Sequence, residues 1–424
     1  MPQFREGAQR RSFKLISYPE ALTKALHILD GNSPNVEEAD ISDVVGRALA
    51  FDIVSEQAVP ERDNAVYDGY VLHSTDTENA SLQTPISLRV VGVTFPGDDP
   101  PQIAHGETRY TATGGPIPLG DYALVKVENV RRLVDRIDVC FPLKAQENIA
   151  LAGEDVQKGT NIFTKGHILR PQDAGLLMGI GISTVKVLQK PKVAIISVGD
   201  ELTTLKDKMT NSTINNYALI VSSLITEFGG TPKYYGIVRD DLKAIEDRIS
   251  TALKETDMAV TISGCSVGPK DLVPDAINSL GRLVFHGIKI SPGKVVGVGV
   301  IEGKPIIMLP GHIASTFAAF YLFTVPLIAR YIQVRTGSLL PVLPARLSQG
   351  VKKKYLPYFM RVNLKKGKTC LEATPIHGGS DRLNVLVESN GFTIIPSNHE
   401  PKEGDLVEVT LYSRLELHRI GSTA

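Results

Sequence analysis

The chain has no tryptophan and only three cysteines in 424 residues, and its 46 lysines and arginines balance its 46 aspartates and glutamates. The missing tryptophan carries no functional meaning. Cys140, Cys265 and Cys370 lie far apart and form neither a CxxC pair nor a zinc-ligand spacing, so no disulfide framework and no zinc site is indicated. A formal net charge of zero argues against a nucleic-acid protein working by bulk electrostatics. No apolar run reaches the ~18 residues of a membrane span, and Met1–Gly7 lacks the apolar core of a signal peptide. A cytoplasmic protein without a membrane or nucleic-acid partner is expected. Internal repeats and low-complexity segments are also missing.

What is present is a set of apolar runs that end in glycine-rich polar turns. Val193–Val198 leads into Gly199-Asp200-Glu201-Leu202, and Met258–Ile262 into Ser263-Gly264-Cys265-Ser266-Val267-Gly268-Pro269-Lys270-Asp271. Pro305–Leu309 leads into Pro310-Gly311-His312. Short continuous apolar runs are the pattern of strands buried on both faces of a parallel sheet. Ligands bind at the carboxyl edge of such sheets, where backbone N–H groups cradle phosphate and carboxylates can hold a cation. An α/β domain built for an anionic, phosphate-bearing ligand is expected.

At this length three or four domains are expected. Tyr18–Leu29 has helical spacing with Pro19 near its start. Asp43–Phe51 reads as a second short helix. Ile86–Val91, Ala123–Val127 and Arg136–Cys140 read as strands of a small β domain. A proline-started helix at Pro171 precedes a strand at Thr184–Leu188. In the α/β region helices are expected at Asn216–Phe228, Asp241–Lys254 and Asp271–Leu280, with a strand at Leu283–Ile290. Ala314–Val334 is a long apolar helix, ended by Arg330, Gln333 and Arg335. Beyond Pro341 and Pro344 an all-β domain carries strands at Tyr358–Leu364, Thr393–Pro396 and Leu406–Leu411.

Four further clusters stand out. Asp63–Tyr70 holds two carboxylates and a glycine, and Thr113-Gly114-Gly115-Pro116 is a rigid turn with a hydroxyl. Gly153-Glu154-Asp155 is an acidic turn. In Ser291-Pro292-Gly293-Lys294 the glycine frees the backbone for close approach and the lysine neutralises an oxyanion. Singly, each is an ordinary turn.

In this order the clusters resemble the MoeA/gephyrin family, which inserts molybdenum into molybdopterin. Asp63–Val71 echoes the family's DNSAMDGYA, and Thr113–Glu128, TGGPIPLGDYALVKVE, echoes its TGAPxPxGADAVVxxE. Gly153–Val156 matches GEDI, and Lys190–Leu202, KPKVAIISVGDEL, matches RPRVAIxSTGDEL. Tyr358–Val362, Gly378-Gly379-Ser380, Ser389-Asn390-Gly391 and Ile395-Pro396 match the last domain, so the resemblance spans nearly the whole chain.

The resemblance implies four domains in a homodimer. Residues 12–60 with 153–189 would form an elongated discontinuous domain, and 61–152 a β-rich domain. Residues 190–336 would form a doubly wound α/β domain similar to MogA, and 337–424 a β-barrel-like domain. The implied substrates are molybdate and adenylylated molybdopterin, the latter delivered by a MogA-type adenylyltransferase partner, with Mg²⁺-assisted release of AMP. Asp68, Asp155, Glu201, Asp240 or Asp241, and Asp271 would carry the chemistry, with Glu201, Asp240 and Asp271 on the metal. Thr113, Gly114, Ser263, Gly264, Ser266, Gly268, Pro292, Gly293, Lys294, Pro310, Gly311, His312 and Ser380 would contact substrate, and Arg361 would clamp an anion. Three loops depart from the family pattern. Ser263 replaces a glycine, Ser291 a lysine, and His312-Ile313 the Asn-Pro of a PGNP loop. These departures keep open a non-catalytic pterin carrier or scaffold and a tungstate-specific insertase.

Overall fold

A computed structural model describes residues 14–31, 34–207, 210, 212–266, 268, 270–334, 336–413 and 416. Val267 and Pro269 of the glycine loop and Arg335 lie outside the described residues. The chain divides into two compact units, one of Met1–Glu37, Gly46–Ala48 and Lys186–Ala424, the other of Glu38–Val45 and Leu49–Val185.

In the first unit the apolar runs become the middle of a six-stranded sheet. Its order is Thr231–Val238, Lys192–Val198, Met258–Ile262, Lys304–Leu309, Gly297–Ile301 and Arg282–His286. The first four strands are parallel. The chain leaves Lys192–Val198 for one neighbour and returns to pair Met258–Ile262 on the other side, so the turns after these two strands flank a topological switch point. Crossover helices cover the faces. Leu242–Glu255 buries Ile245, Ile249, Ala252 and Leu253 along one stripe, and Asp241 caps it by accepting from Ala244 N at 2.8 Å.

A wholly parallel sheet is not what forms. Gly297–Ile301 and Arg282–His286 run antiparallel at one edge. The cause is local: Glu302 and Gly303 take φ of 51° and 77°, the two positive values of a two-residue hairpin turn that reverses the chain. The strand expected over Leu283–Ile290 stops at His286, because Gly287 turns out with φ 96°. The helix expected at Asp43–Phe51 also fails. Only a short 3-10 turn forms at Ile41–Asp43, and Gly46, at φ 81°, diverts the backbone after it.

The long apolar helix runs Ile313–Tyr331. It is long and apolar enough to cross a membrane, yet 94% of its apolar window is buried inside the protein. A π turn at Phe320–Thr324 precedes Pro326, whose missing N–H breaks the regular ladder there. One side of this helix meets the sheet, and Phe317 and Tyr321 meet a closed five-stranded barrel built from Val342–Leu347, Tyr358–Lys366, Leu371–Pro375, Gly391–Ile395 and Leu406–Leu411. Phe317 and Tyr412 rings meet edge-on at 4.8 Å, Phe359 and Phe392 stack at 4.2 Å, and Tyr321 Oη donates to Tyr412 O at 2.9 Å. Each buried ring contributes about 1.5–3 kcal/mol from burial. This aromatic seam holds the barrel against the loops at the sheet's carboxyl edge.

The second unit contains a six-stranded sheet ordered Tyr122–Lys126, Gly69–His73, Glu107–Thr111, Ile86–Thr94, Arg136–Val139 and Arg131–Arg132. Only Ile86–Thr94 with Glu107–Thr111 is a parallel pair. The proline-started helix is Pro171–Gly179.

Candidate functional site

A cavity of about 500 Å³ opens at the carboxyl edge of the parallel strands. Ser263, Gly264, Ser266 and Asp271 reach it from one loop, Ser291, Pro292, Gly293 and Lys294 from another, Pro310, Gly311 and His312 from a third, and Ser380 from the barrel. Gly268 stands beside it, its N–H donating to Asp271 Oδ2 at 2.8 Å. Four sequence clusters thus meet at one place.

The backbone explains the residue types. Ser263 and Gly264 take successive left-handed conformations, φ 75° and 70°, at the end of Met258–Ile262. A side chain on Gly264 would meet Val273 Cγ2 at 2.9 Å. Ser263 occupies the left-handed region without glycine's freedom, which costs about 1 kcal/mol. Ser263 N is anchored by donating to Leu309 O at 3.0 Å. His312 stands at the start of the apolar helix, its backbone O accepting from Ser315 N and Thr316 N, its Nδ1 lies 3.4 Å from Ser380 Oγ, and Ala314 N donates to Ser380 O at 2.9 Å. The changed loop therefore docks directly on the barrel. Lys294 is exposed at the mouth, the sole cation among the described residues lining the cavity apart from His312 when protonated.

Arg361 is placed differently. It does not line the cavity; it lies behind Gly378-Gly379-Ser380, 3% exposed, with one terminal nitrogen donating to Gly378 O at 3.2 Å and, among the described residues, no hydrogen-bond partner at Nε. A buried guanidinium with an open donor is a costly arrangement without an anion.

The acidic residues do not converge as expected. Asp241 is committed to its helix cap. Asp240 and Asp200 each accept from the other's backbone N–H, at 3.4 and 3.3 Å, and Lys270 bridges to Asp200 at 3.1 Å. Burial first, then the like charges of Asp200 and Glu201, push the Asp240 carboxyl above its ordinary value. Among the described residues no group of three or more His, Cys, Asp or Glu side chains is poised to hold a metal, so Glu201, Asp240 and Asp271 do not form a ready-made trio. They still suit magnesium, which keeps several waters and takes one or two carboxylates together with substrate phosphates.

Asp68, Asp155, Thr113 and Gly114 belong to the second unit. Asp68 Oδ1 accepts from Thr113 N at 2.7 Å and from Thr113 Oγ1 at 2.8 Å, and these bonds hold its carboxyl below the usual range. Gly114 takes φ 79° in the same turn, and its N–H donates to Ala65 O at 2.8 Å. Asp155 N donates to Val59 O at 3.0 Å, joining the acidic turn to the same loop cluster.

Cavity residues outside the substrate-contact set expected from the sequence are Cys265, Val295 and Ser315, and Ser291, which the sequence marked as the first residue of its turn and as a departure from the family pattern. Ser315 carried a signal, standing in the first turn of a helix that begins at a glycine loop. Cys265 is buried, and burial, then the Asp271 charge, push its thiol up to about 12. Alkylation at about pH 8, near the ordinary thiol value, is expected to modify exposed Cys370 and leave Cys265 unlabelled; peptide mapping after iodoacetamide reads this directly, and rapid labelling of Cys265 would contradict it.

Three family models match in sequence along the chain: the MoeA N-terminal region (domains I and II) over residues 16–181, the probable molybdopterin binding domain over 194–330, and the MoeA C-terminal region (domain IV) over 344–412. A Methanocaldococcus jannaschii protein named for molybdopterin biosynthesis is 32% identical over 399 residues, covering 92% of this chain and 95% of that one. The molybdopterin molybdenumtransferase of Bacillus subtilis is 28% identical, covering 93% and 94%. The crystal structure of a MoeA molybdopterin biosynthesis protein from Pyrococcus horikoshii superposes with a TM-score of 0.82 at 33% identity, over 94% of this chain and 100% of that one. With these matches running through both of its units, the chain belongs to the MoeA family.

Proposed function

We propose that this chain is a molybdopterin molybdotransferase of molybdenum cofactor biosynthesis, which inserts molybdate into adenylylated molybdopterin and releases AMP. The observation that carries the reading is the cavity lined by three loops and Ser380, with Lys294 at its mouth and Arg361 buried behind it. Glycine and serine amides and hydroxyls suit the pterin phosphate, and Lys294 neutralises an oxyanion brought beside it. Asp271 is the one carboxylate among the described lining residues and orients water toward the phosphoanhydride, whose hydrolysis leaves AMP and the pterin phosphate. One or two of Glu201, Asp240 and Asp271, with water and the substrate phosphates, would hold a magnesium ion, which supplies positive charge against the leaving phosphate.

In the second unit the Thr113 bonds keep Asp68 ionised and oriented. On the same reading the chain acts as a homodimer in the cytoplasm, receives its substrate from a MogA-type adenylyltransferase, and has the four domains outlined from its sequence. The test is an insertion assay with purified chain, adenylylated molybdopterin, Mg²⁺ and molybdate. AMP release should depend on the oxyanion and fall about 100-fold in Asp68→Asn. Release without molybdate, or an unaffected variant, would count against the reading.

A further inference from the structure

The cavity wall is short of positive charge for the dianion that the transferase reading brings to it. Among its described lining residues only Lys294 and Asp271 carry a formal charge, and the two cancel. A tetrahedral oxyanion such as molybdate is doubly negative near neutral pH. Holding it against a wall of no net charge gives up hydration with little return. One further lining group can supply a cation. Imidazole is the side chain that changes charge between about pH 5 and 8, and His312 is the histidine of the cavity. Two departures from the family pattern therefore meet here, Ser291 removing a fixed charge and His312 adding a titratable one.

His312 is placed to use that charge. Its backbone O accepts from Ser315 N at 2.9 Å and from Thr316 N at 2.8 Å, bonds that any residue at this position keeps. The side chain has no part in them: it is exposed, with Nδ1 3.4 Å from Ser380 Oγ. An imidazolium donates at both ring nitrogens. With Nδ1–H given to Ser380 Oγ, Nε2–H is left for an anion, and the Ser380 hydroxyl hydrogen is left for the same anion. Protonation thus readies two groups at once. The titratable and charged groups on the elements around His312 are Cys265 and Asp271 after Met258–Ile262, Lys294 in the Ser291 turn, and Asp381 and Arg382 beside Ser380. Tyr217 completes them, its hydroxyl accepting from the Ile313 N–H.

We propose that protonated His312, together with Ser380, supplies the second positive charge of the oxyanion seat beside Lys294, so that the cavity takes up a proton with each tetrahedral dianion it binds. The inference rests on the transferase reading, in which molybdate enters this cavity, and adds the charge state in which the anion is received. It makes His312 a binding residue, without a part in bond cleavage.

The test is calorimetric titration of the full chain with molybdate alone at about pH 6 and about pH 8, each in two buffers of different ionisation enthalpy, so that protons taken up on binding are counted. Affinity should be about tenfold higher at the lower pH, with net proton uptake. His312→Asn should remove both the uptake and the pH dependence, holding the weaker affinity throughout. Lys294→Gln should weaken binding at either pH and keep the dependence. Ser291→Lys added to His312→Asn should restore tight binding at both, since a fixed charge then replaces the imidazolium. Matching thermal unfolding of the variants ensures that a loss is local. A pH dependence that survives His312→Asn, binding without proton uptake, a double variant that stays weak, or no molybdate binding by the unmodified chain overturns the inference. Oxyanion-dependent AMP release in the insertion assay would still uphold the transferase in each of those cases. Proton-coupled molybdate binding without AMP release would uphold the seat and overturn the transferase.

Discussion

Replacing Arg361 with methionine is expected to lower molybdate-dependent turnover by about 100- to 1000-fold while leaving the fold as stable as before or more so. The two effects have one cause. Arg361 is a buried cation that, among the described residues, has no partner at Nε and one side-chain bond, to Gly378 O at 3.2 Å. Such a group is held at a cost that an arriving anion offsets. Methionine fills similar space without a charge to desolvate, and replacements of buried charges by apolar residues range from neutral to about 4 kcal/mol stabilising. Arg361→Lys keeps the charge but loses the planar fork, so it should rescue only part of the turnover. Insertion rates and chemical denaturation on the same preparations separate the effects. A clear loss of stability would make Arg361 a structural residue, and wild-type turnover would remove it from the site.

Asp173→Asn is expected to destabilise the second unit by about 2–4 kcal/mol at neutral pH. The Asp173 carboxylate is buried and accepts from Arg170 N at 2.9 Å, from the Arg170 guanidinium at 2.7 and 3.0 Å, and from His167 Nε2 at 2.7 Å. The Arg170 side chain above all, helped by His167 and the Arg170 N–H, holds its carboxyl far below the usual range. A carboxyl depressed in the folded state contributes its stabilisation in full above the unfolded value of about 3.9 and loses it as the pH falls toward the folded value. The gap between wild type and Asp173→Asn should therefore be widest near neutrality and shrink as the pH drops below about 4. Urea titrations of both proteins across that range measure it. A gap that does not change with pH would mean that lost packing, and not the charge, carries the effect.

The match between sequence reading and structure follows the range of the forces involved. Val193–Val198 and Met258–Ile262 were legible because buried strands need apolar residues at every position and glycine or polar turns at their ends, and Leu406–Leu411 because its apolar and polar residues alternate. Asp241 and Pro171 marked helix starts because a cap acts within one turn. The antiparallel edge was also written locally, in Glu302-Gly303, but the apolar runs on either side mask a two-residue turn. Motif order brought out the loops of the cavity, and the resemblance it supports named their ligand.

What each loop meets was decided by tertiary structure alone. Ser380 reaches His312 only because Phe317, Tyr321 and Tyr412 hold the barrel on the apolar helix, a contact between residues about ninety positions apart in the chain. Asp240 is set against Asp200 while Asp271 turns into the cavity, although all three looked equivalent as carboxylates after strands. Arg361 lies behind the loop that the substrate would touch because strand register across the barrel sets which side chain points where, and the segment before that strand is tied to Ser291 by backbone bonds through Pro357 and Phe359. Local propensity and patterning specify the elements and mark their ends. Hydrogen-bond register and side-chain packing between distant segments decide which marked residues share a site.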